Sequence, residues 1–389
     1  MLHLNSTIAS IAPSATLGMA ARAKQLAAGG RKVLSFAAGE PDFDTPTHIK
    51  MAAIRALELG ETKYAPGDGL PALRQAIAEK LLKENQLPYK PEQIVVSNGA
   101  KHSIFNVCMA LCNPGDEVII PAPYWLSYPE MVRIAGAVPV FVAGQEEKGF
   151  RITADDLEAK ITARTRAVII NSPCNPSGIV YSRAELHALA ETALKHDLLI
   201  VSDEIYEKII YDGMEHVSVG SLSRQIFEHT VTVNGYAKAY SMPGWRLGYM
   251  AGPVELAKAV SALQSHSTSG AVTFAQYGAI EAHRESQECV ARMAEAFAER
   301  RAFLHQRLTS IRGITCVKPM GAFYMLPNVG SFGLKPQDFA EKLLNAEAVA
   351  VVPGEPFGAF EHIRISYACS LASLREGMDR LEHFTAALG

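Results

Sequence analysis

The sequence predicts an α/β fold, with a large domain built on a mainly parallel central sheet between helices and a smaller α+β domain. Three observations lead there. From about residue 45 to residue 252, short β-branched or apolar runs alternate with stretches of helical period. Apolar strands separated by helices indicate a sheet buried on both faces, and such sheets are mainly parallel. Beyond a long helical segment, roughly 274 to 308, the pattern changes to strand, helix, strand, helix. A chain of 389 residues holds about two to three domains' worth of sequence. The expected division is an N-terminal arm and part of the small domain over 1–45, the large domain over 46–290, and the C-terminal small domain over 291–389.

The elements follow in order. Thr45 and Pro46 open a helix as cap and first-turn residue, and Ile49, Ala52, Ala53, Ala56 and Leu57 keep its inward period until Gly60. A second helix starts at Pro71 with Leu73, Ile77 and Leu81 on one stripe. Strands are expected at 94–96, 118–120, 138–142, 167–170, 198–201, 231–233 and 247–250. Between two of them a helix over 183–196 turns Leu186, Leu189, Ala190, Ala193 and Leu194 inward. The C-terminal part reads strand 323–326, helix 336–345, strand 363–366 and helix 371–388, completed by the N-terminal segment.

Composition narrows the function. Hydrophobic residues make up 48% and charged residues 20%, which excludes wholesale disorder. The 37 basic and 40 acidic residues leave a net charge of -3, against a nucleic-acid or anionic-membrane surface. The six cysteines form no C-x-x-C; Cys108 and Cys112 read as core thiols on one helix face rather than zinc ligands, since no second Cys/His pair accompanies them. No Lys or Arg precedes Arg22, so a signal peptide's basic start is missing, and the longest charge-free run, 259–280, carries too many polar residues for a bilayer. A cytoplasmic protein is expected.

In a parallel α/β sheet, ligands sit beyond the carboxyl ends of the strands. Those positions hold an unusual set. After strand 94–96 come Ser97, Asn98, Gly99, Ala100 and Lys101, a small-residue turn into a helix whose free N–H groups can hold an anion. After 167–170 comes N-S-P-C-N-P-S-G, after 198–201 comes S-D-E-I-Y, and after 231–233 come Asn234, Gly235, Tyr236, Ala237 and Lys238, then Gly244, Trp245 and Arg246. Taken singly, a strand-end Asp is a helix cap, Asn-Pro a turn and a lone Lys a solvated charge. Their convergence on one rim shifts the reading to chemistry.

At these residues the chain resembles the class I, fold-type I pyridoxal-phosphate (PLP) dependent aminotransferases, and within them the bacterial-type aspartate aminotransferases, including aspartate/prephenate aminotransferases. The resemblance runs from Pro13 through A-G-E-P-D-F at 38–43 to I-R-I-S-Y-A at 363–368, and the stretch A-K-A-Y-S-M-P-G-W-R-L-G at 237–248 is highly specific. It implies that Lys238 bonds to the PLP aldehyde and afterwards shuttles the substrate proton. A free lysine titrates at about 10.4, so the site must lower it, with a guanidinium such as Arg246 helping. Asp203 would pair with the ring nitrogen, Asn175 and Tyr206 with the ring's phenolic oxygen, and Trp125 would stack on the ring. The phosphate would rest on Gly99, Ala100 and Lys101, forked by Arg246 and reached by Tyr64 of the other subunit, which implies a homodimer with shared sites. Many relatives carry Ser before the lysine, whereas this chain has Ala237, which removes one hydroxyl contact.

For substrate, the resemblance assigns Arg364 the α-carboxylate, a task that suits a guanidinium fork, with Gly39, Asn175 and Trp125 completing the grip. Lys101 and Thr16 match the pair that reads a distal carboxylate, so aspartate and 2-oxoglutarate fit as a ping-pong pair. Three rivals stand beside this: a prephenate or aromatic aminotransferase, a PLP-dependent carbon–sulfur β-lyase, and a transcription regulator with an aminotransferase-like module. The family pattern starts by residue 13, where a regulator would need a DNA-binding domain first. Gly67 to Ala72 imitates a dinucleotide turn, but Pro71 and the lack of a preceding strand exclude it.

Overall fold

A computed structural model of the chain describes residues 2–388. All seven expected strands form one sheet, in the spatial order Ile94–Ser97, Gly248–Ala251, Thr230–Gly235, Leu199–Asp203, Thr165–Asn171, Glu117–Ala122, Val138–Ala143. Gly248–Ala251 runs antiparallel to both its neighbours, and every other pairing is parallel. Thr230–Gly235 is buried at every position, as expected of a strand covered on both faces. The edge strand Val138–Ala143 is largely open to solvent and departs from that pattern.

The helices correct the expectations in three places. The first runs Thr47–Glu58 with Pro46 as its N-cap, one position later than expected. Thr45 does not cap it, because its hydroxyl donates to Ser241 O at 2.6 Å and accepts from Trp245 Nε1 at 3.0 Å. Leu57 is exposed, while Ile49, Ala53 and Ala56 carry the buried stripe. The expected segment 274–308 is two helices, Thr273–Arg284 and Glu288–Ser310. Gln287 Nε2 takes Ala282 O and Glu285 O at 2.9 Å each, and Ser286 Oγ accepts from Glu288 N, so side chains satisfy the backbone at the break. Cys112 lies just past the helix Ala100–Leu111 in extended backbone, so only Cys108 is a helical core thiol.

Beyond the sheet, Val352–Pro353, Ile363–Ser366 and Tyr324–Met325 form a small antiparallel sheet flanked by Pro336–Glu347 and Leu371–Ala386. The N-terminal segment is stitched to this part. Leu34–Ser35 pairs in parallel with Val349–Ala350, and Ser366 N donates to Phe36 O at 2.9 Å. One apolar core accordingly joins Met19 and Phe36 to Phe297, Phe339 and Leu374. That stitching carries Ala37 and Gly39 to the rim of the large sheet.

Close approach at the rim depends on Gly248. A Cβ there would lie 2.2 Å from Ala100 N and 2.6 Å from Gly99 C. Gly248→Ala should therefore destabilise the protein by roughly 1–3 kcal/mol and push the helix start outward. Urea unfolding together with PLP affinity checks this; unchanged values in both would contradict the packing.

Candidate active site

Asn171 pairs with Asp203 and Asp203 with Val233, two residues before the next strand ends at Gly235, and the loops that follow these strands line a cavity of about 920 Å³. Of the expected site residues, Thr16, Gly39, Gly99, Ala100, Lys101, Trp125, Asn175, Asp203, Tyr206, Lys238, Arg246 and Arg364 all face it. Tyr64 does not; it is 93% exposed on the outside of the chain.

Asp203 is the last residue of its strand, buried, with Tyr128 Oη donating to Oδ2 at 2.6 Å and Ile205 N to Oδ1 at 3.2 Å. Burial raises its pKa to about 6, against the lowering effect of those two hydrogen bonds. Lys238, two residues past Tyr236 in the neighbouring loop, donates from Nζ to Gly39 O at 2.5 Å. Its pKa falls to about 8, first through burial and then through the Arg364 cation, with Arg246 helping as expected but to a lesser degree than Arg364.

Gly99, at φ +91°, caps the helix Ala100–Leu111, and no side chain accepts from its first amides. A Cβ on Gly99 would come within 2.8 Å of Arg246 Nη2, so the glycine lets the guanidinium close over the helix start. Arg246 is oriented by Pro243 O at 2.8 Å and Asn98 O at 3.3 Å. Bare amides, a helix N-terminus and a guanidinium make a cradle for a doubly charged anion. On the facing wall, Arg364 is 2% exposed and donates to Asn175 Oδ1 at 3.1 Å and Ala37 O at 2.8 Å. Its Nε and the Thr16 hydroxyl are buried without partners among the described residues. Lys101 is exposed as a residue, yet its ammonium lies 4.9 Å over the Trp125 ring, and partial burial plus Arg246 lowers its pKa.

Three contributors escaped the sequence reading. Tyr128 holds Asp203, Tyr324 touches Tyr206 at 2.9 Å, and Asn171 anchors the following loop by accepting from Asn175 N at 2.8 Å. Neither Tyr128 nor Tyr324 stands in a motif of the sequence, and no spacing links Tyr128 to Asp203 or Tyr324 to Tyr206, 75 and 118 residues away. Asn171 stood inside the quoted motif, but nothing in it separated an anchoring asparagine from a turn residue.

A parallel sheet that gathers an amine, an acid and an anion cradle at one rim has the architecture of a PLP-dependent, fold-type I enzyme. Comparison with known proteins is in accord. Residues 31–381 match the family model described as aminotransferase class I and II, and the chain belongs to that family of PLP-dependent aminotransferases. It is 48% identical to the aspartate aminotransferase of Geobacillus stearothermophilus over 99% of this chain and 100% of that protein. It is 46% identical to the aspartate/prephenate aminotransferase of Cereibacter sphaeroides over the whole of both chains. The aspartate aminotransferase from Thermus thermophilus solved with maleate superposes with a TM-score of 0.95 at 46% identity, covering 98% of this chain and 100% of that one.

The lowered pKa of Lys238 has a consequence for stability. Between about 8 and 10.5 the unfolded chain binds a proton that the folded chain has lost. Below that window the fold bears the whole cost of a buried ammonium, and above it none. Lys238→Met should therefore stabilise the PLP-free protein most near neutral pH, and its advantage should shrink as pH rises through the window. Urea unfolding of both proteins at each end checks this, and an advantage that is constant with pH would contradict it.

Proposed function

We propose that this cavity binds PLP and transfers the amino group of L-aspartate to 2-oxoglutarate, giving oxaloacetate and L-glutamate by a ping-pong mechanism. The observation that carries the reading is the meeting of a low-pKa amine, a buried carboxylate and a buried guanidinium with an unpartnered Nε in one cavity. PLP fits the donor set: the Gly99 cradle suits its phosphate, Asp203 its ring nitrogen, and Tyr206 with Asn175 its phenolic oxygen. Bound PLP supplies an aldehyde for the amino group and a protonated ring into which the electrons of the Cα–H bond can spread.

The chain's own residues do the rest. At neutral pH a lysine titrating near 8 holds about a tenth of its amine unprotonated, against far less than a hundredth for a free lysine. Lys238 is thus a competent nucleophile and, once released, a base and acid for moving the Cα proton. Asp203, at about 6, is an anion at neutral pH, and Tyr128 and the Ile205 amide fix its orientation. Burial keeps the Tyr206 hydroxyl protonated far above its ordinary range, so it acts as a donor. Arg364 grips the α-carboxylate beside Asn175, while Trp125 and the Gly39 backbone complete the wall. Lys101 and Thr16, on the same cavity, receive the distal carboxylate.

Exposed Tyr64 supports a homodimer in which that residue reaches the partner's phosphate cradle. Met51, Ile54, Leu57 and Leu59 leave apolar surface just ahead of it in the sequence. The stitching of the N-terminal segment to the C-terminal part supports a large PLP-binding domain over 46–290 and a small domain from 1–45 and 291–389. Among the described residues no helix is long and apolar enough to cross a membrane, and six free cysteines accord with a reducing cytoplasm. Relatives that are named aspartate/prephenate aminotransferase make prephenate the second acceptor to try.

Two variants test the roles. Lys238→Ala should abolish turnover while leaving thermal unfolding within a few degrees of wild type; full activity would refute the assignment. Lys101→Ser should lower kcat/KM for aspartate and 2-oxoglutarate by tenfold or more, about 1.4 kcal/mol, and spare monocarboxylate substrates. Equal losses for both classes would make Lys101 a cofactor or structural residue.

A further inference from the structure

Tyr324 stands at the junction of two groups that the proposed function uses, and nothing in that reading employs it. It begins the strand Tyr324–Met325, paired with Ser366 and Ile365 of the strand that carries Arg364. The chain just before it is clamped. Met320 N and Gly321 N both donate to Gly178 O at 2.7 and 2.8 Å, and Ala322 N donates to Ile209 O at 2.9 Å. Ala322 O accepts from the hydroxyls of Tyr211 and Tyr367. A side chain presented by so constrained a backbone cannot drift.

The two ends of that side chain do different things. Its hydroxyl lies 2.9 Å from the hydroxyl of Tyr206. Its ring lies 4.5 Å under the guanidinium of Arg364, with Phe357 at 4.9 Å from the same group. Among the described residues Arg364 donates to only two oxygens, Asn175 Oδ1 and Ala37 O, so the aromatic faces supply much of what offsets its burial. Tyr206 has one hydrogen to give. If it points at the cofactor, the Tyr206 oxygen must accept from Tyr324, and a hydroxyl that accepts becomes a stronger donor.

We propose that Tyr324 is a positioning residue with two separable roles: its hydroxyl orients the Tyr206 hydroxyl toward the phenolic oxygen of PLP, and its ring holds Arg364 in line for the α-carboxylate. This rests on the assignment of the cavity to PLP and an amino acid.

The test compares Tyr324→Phe and Tyr324→Leu with wild type, all loaded with PLP. Two readouts other than turnover are used: the pH midpoint of the visible absorbance of the bound cofactor, and calorimetric affinity for succinate, a dicarboxylate that cannot react. The Phe variant keeps the ring and should bind succinate within about twofold of wild type, while its midpoint rises because the phenolate loses support. The Leu variant should show the same midpoint shift and bind succinate about fivefold to thirtyfold more weakly, the span of a partly desolvated cation–π contact. It should also raise KM for aspartate and monocarboxylate amino acids alike, since all share the α-carboxylate. A Phe variant with an unmoved or lowered midpoint overturns the hydroxyl role, and equal succinate affinity in Phe and Leu overturns the ring role. Should Leu fail to fold, Phe still decides the first, and Tyr324→His, which keeps an aromatic face, against Tyr324→Met decides the second. If wild type itself takes up no PLP and binds no succinate, the cavity assignment falls and the inference with it; if wild type does both and the variants match it, only the role of Tyr324 falls.

Discussion

Lys238, Arg364 and Asp203 are buried charged groups around one cavity, and the rest of the structure answers to that fact. Burying an unpaired charge costs several kcal/mol, and Lys238, Asp203 and Arg364 each meet the cost differently. Lys238 gives up part of its proton affinity and leans on Gly39 O. Asp203 keeps its charge through Tyr128 and a backbone amide. Arg364, which has no accessible neutral form, is held by two oxygens and two aromatic faces. Each solution leaves a reactive capacity in place: a nucleophilic amine, an oriented carboxylate, and a guanidinium nitrogen with no protein partner.

The sheet topology makes this possible by putting unrelated stretches of chain at one rim. Asn171, Asp203 and Val233 are adjacent because their strands are neighbours in the ladder, although they lie far apart in sequence, and Lys238 follows shortly after Val233. The reversed strand Gly248–Ala251 then lets Arg246 return to the same rim immediately after Lys238. Glycines at 99 and 248 remove the side chains that would otherwise separate helix start, strand and guanidinium. The far wall comes from elsewhere: the N-terminal segment, sutured to the C-terminal part at Leu34–Ser35, supplies Ala37 and Gly39. A cavity assembled from so many separate chain segments is sensitive to how those segments dock, which is why the clamped turn before Tyr324 bears on chemistry.

Much of this was legible in the residues. The seven strands announced themselves by unbroken apolar runs, and the candidate groups stood where a parallel sheet presents its ligands. The illegible parts share a physical cause: they depend on contacts across the fold. Thr45 looked like a cap until Ser241 and Trp245 claimed its hydroxyl. The break at Glu285 to Gln287 is made by polar side chains that a periodicity count passes over. Tyr128 and Tyr324 carried no local mark, since an aromatic beside an apolar run reads as core whether or not its hydroxyl meets an acid. Arg246 does help to lower the pKa of Lys238, as expected, but burial and Arg364 outweigh it, a ranking set by distances that no sequence contains.

The amine, acid and guanidinium in this cavity imply a transfer in two halves, and counting product in the absence of the acceptor addresses that most directly. PLP-loaded protein given L-aspartate alone should release a single equivalent of oxaloacetate per site and then stop, resuming only when 2-oxoglutarate is added. Continuous release without an acceptor, or none at all, would contradict the account.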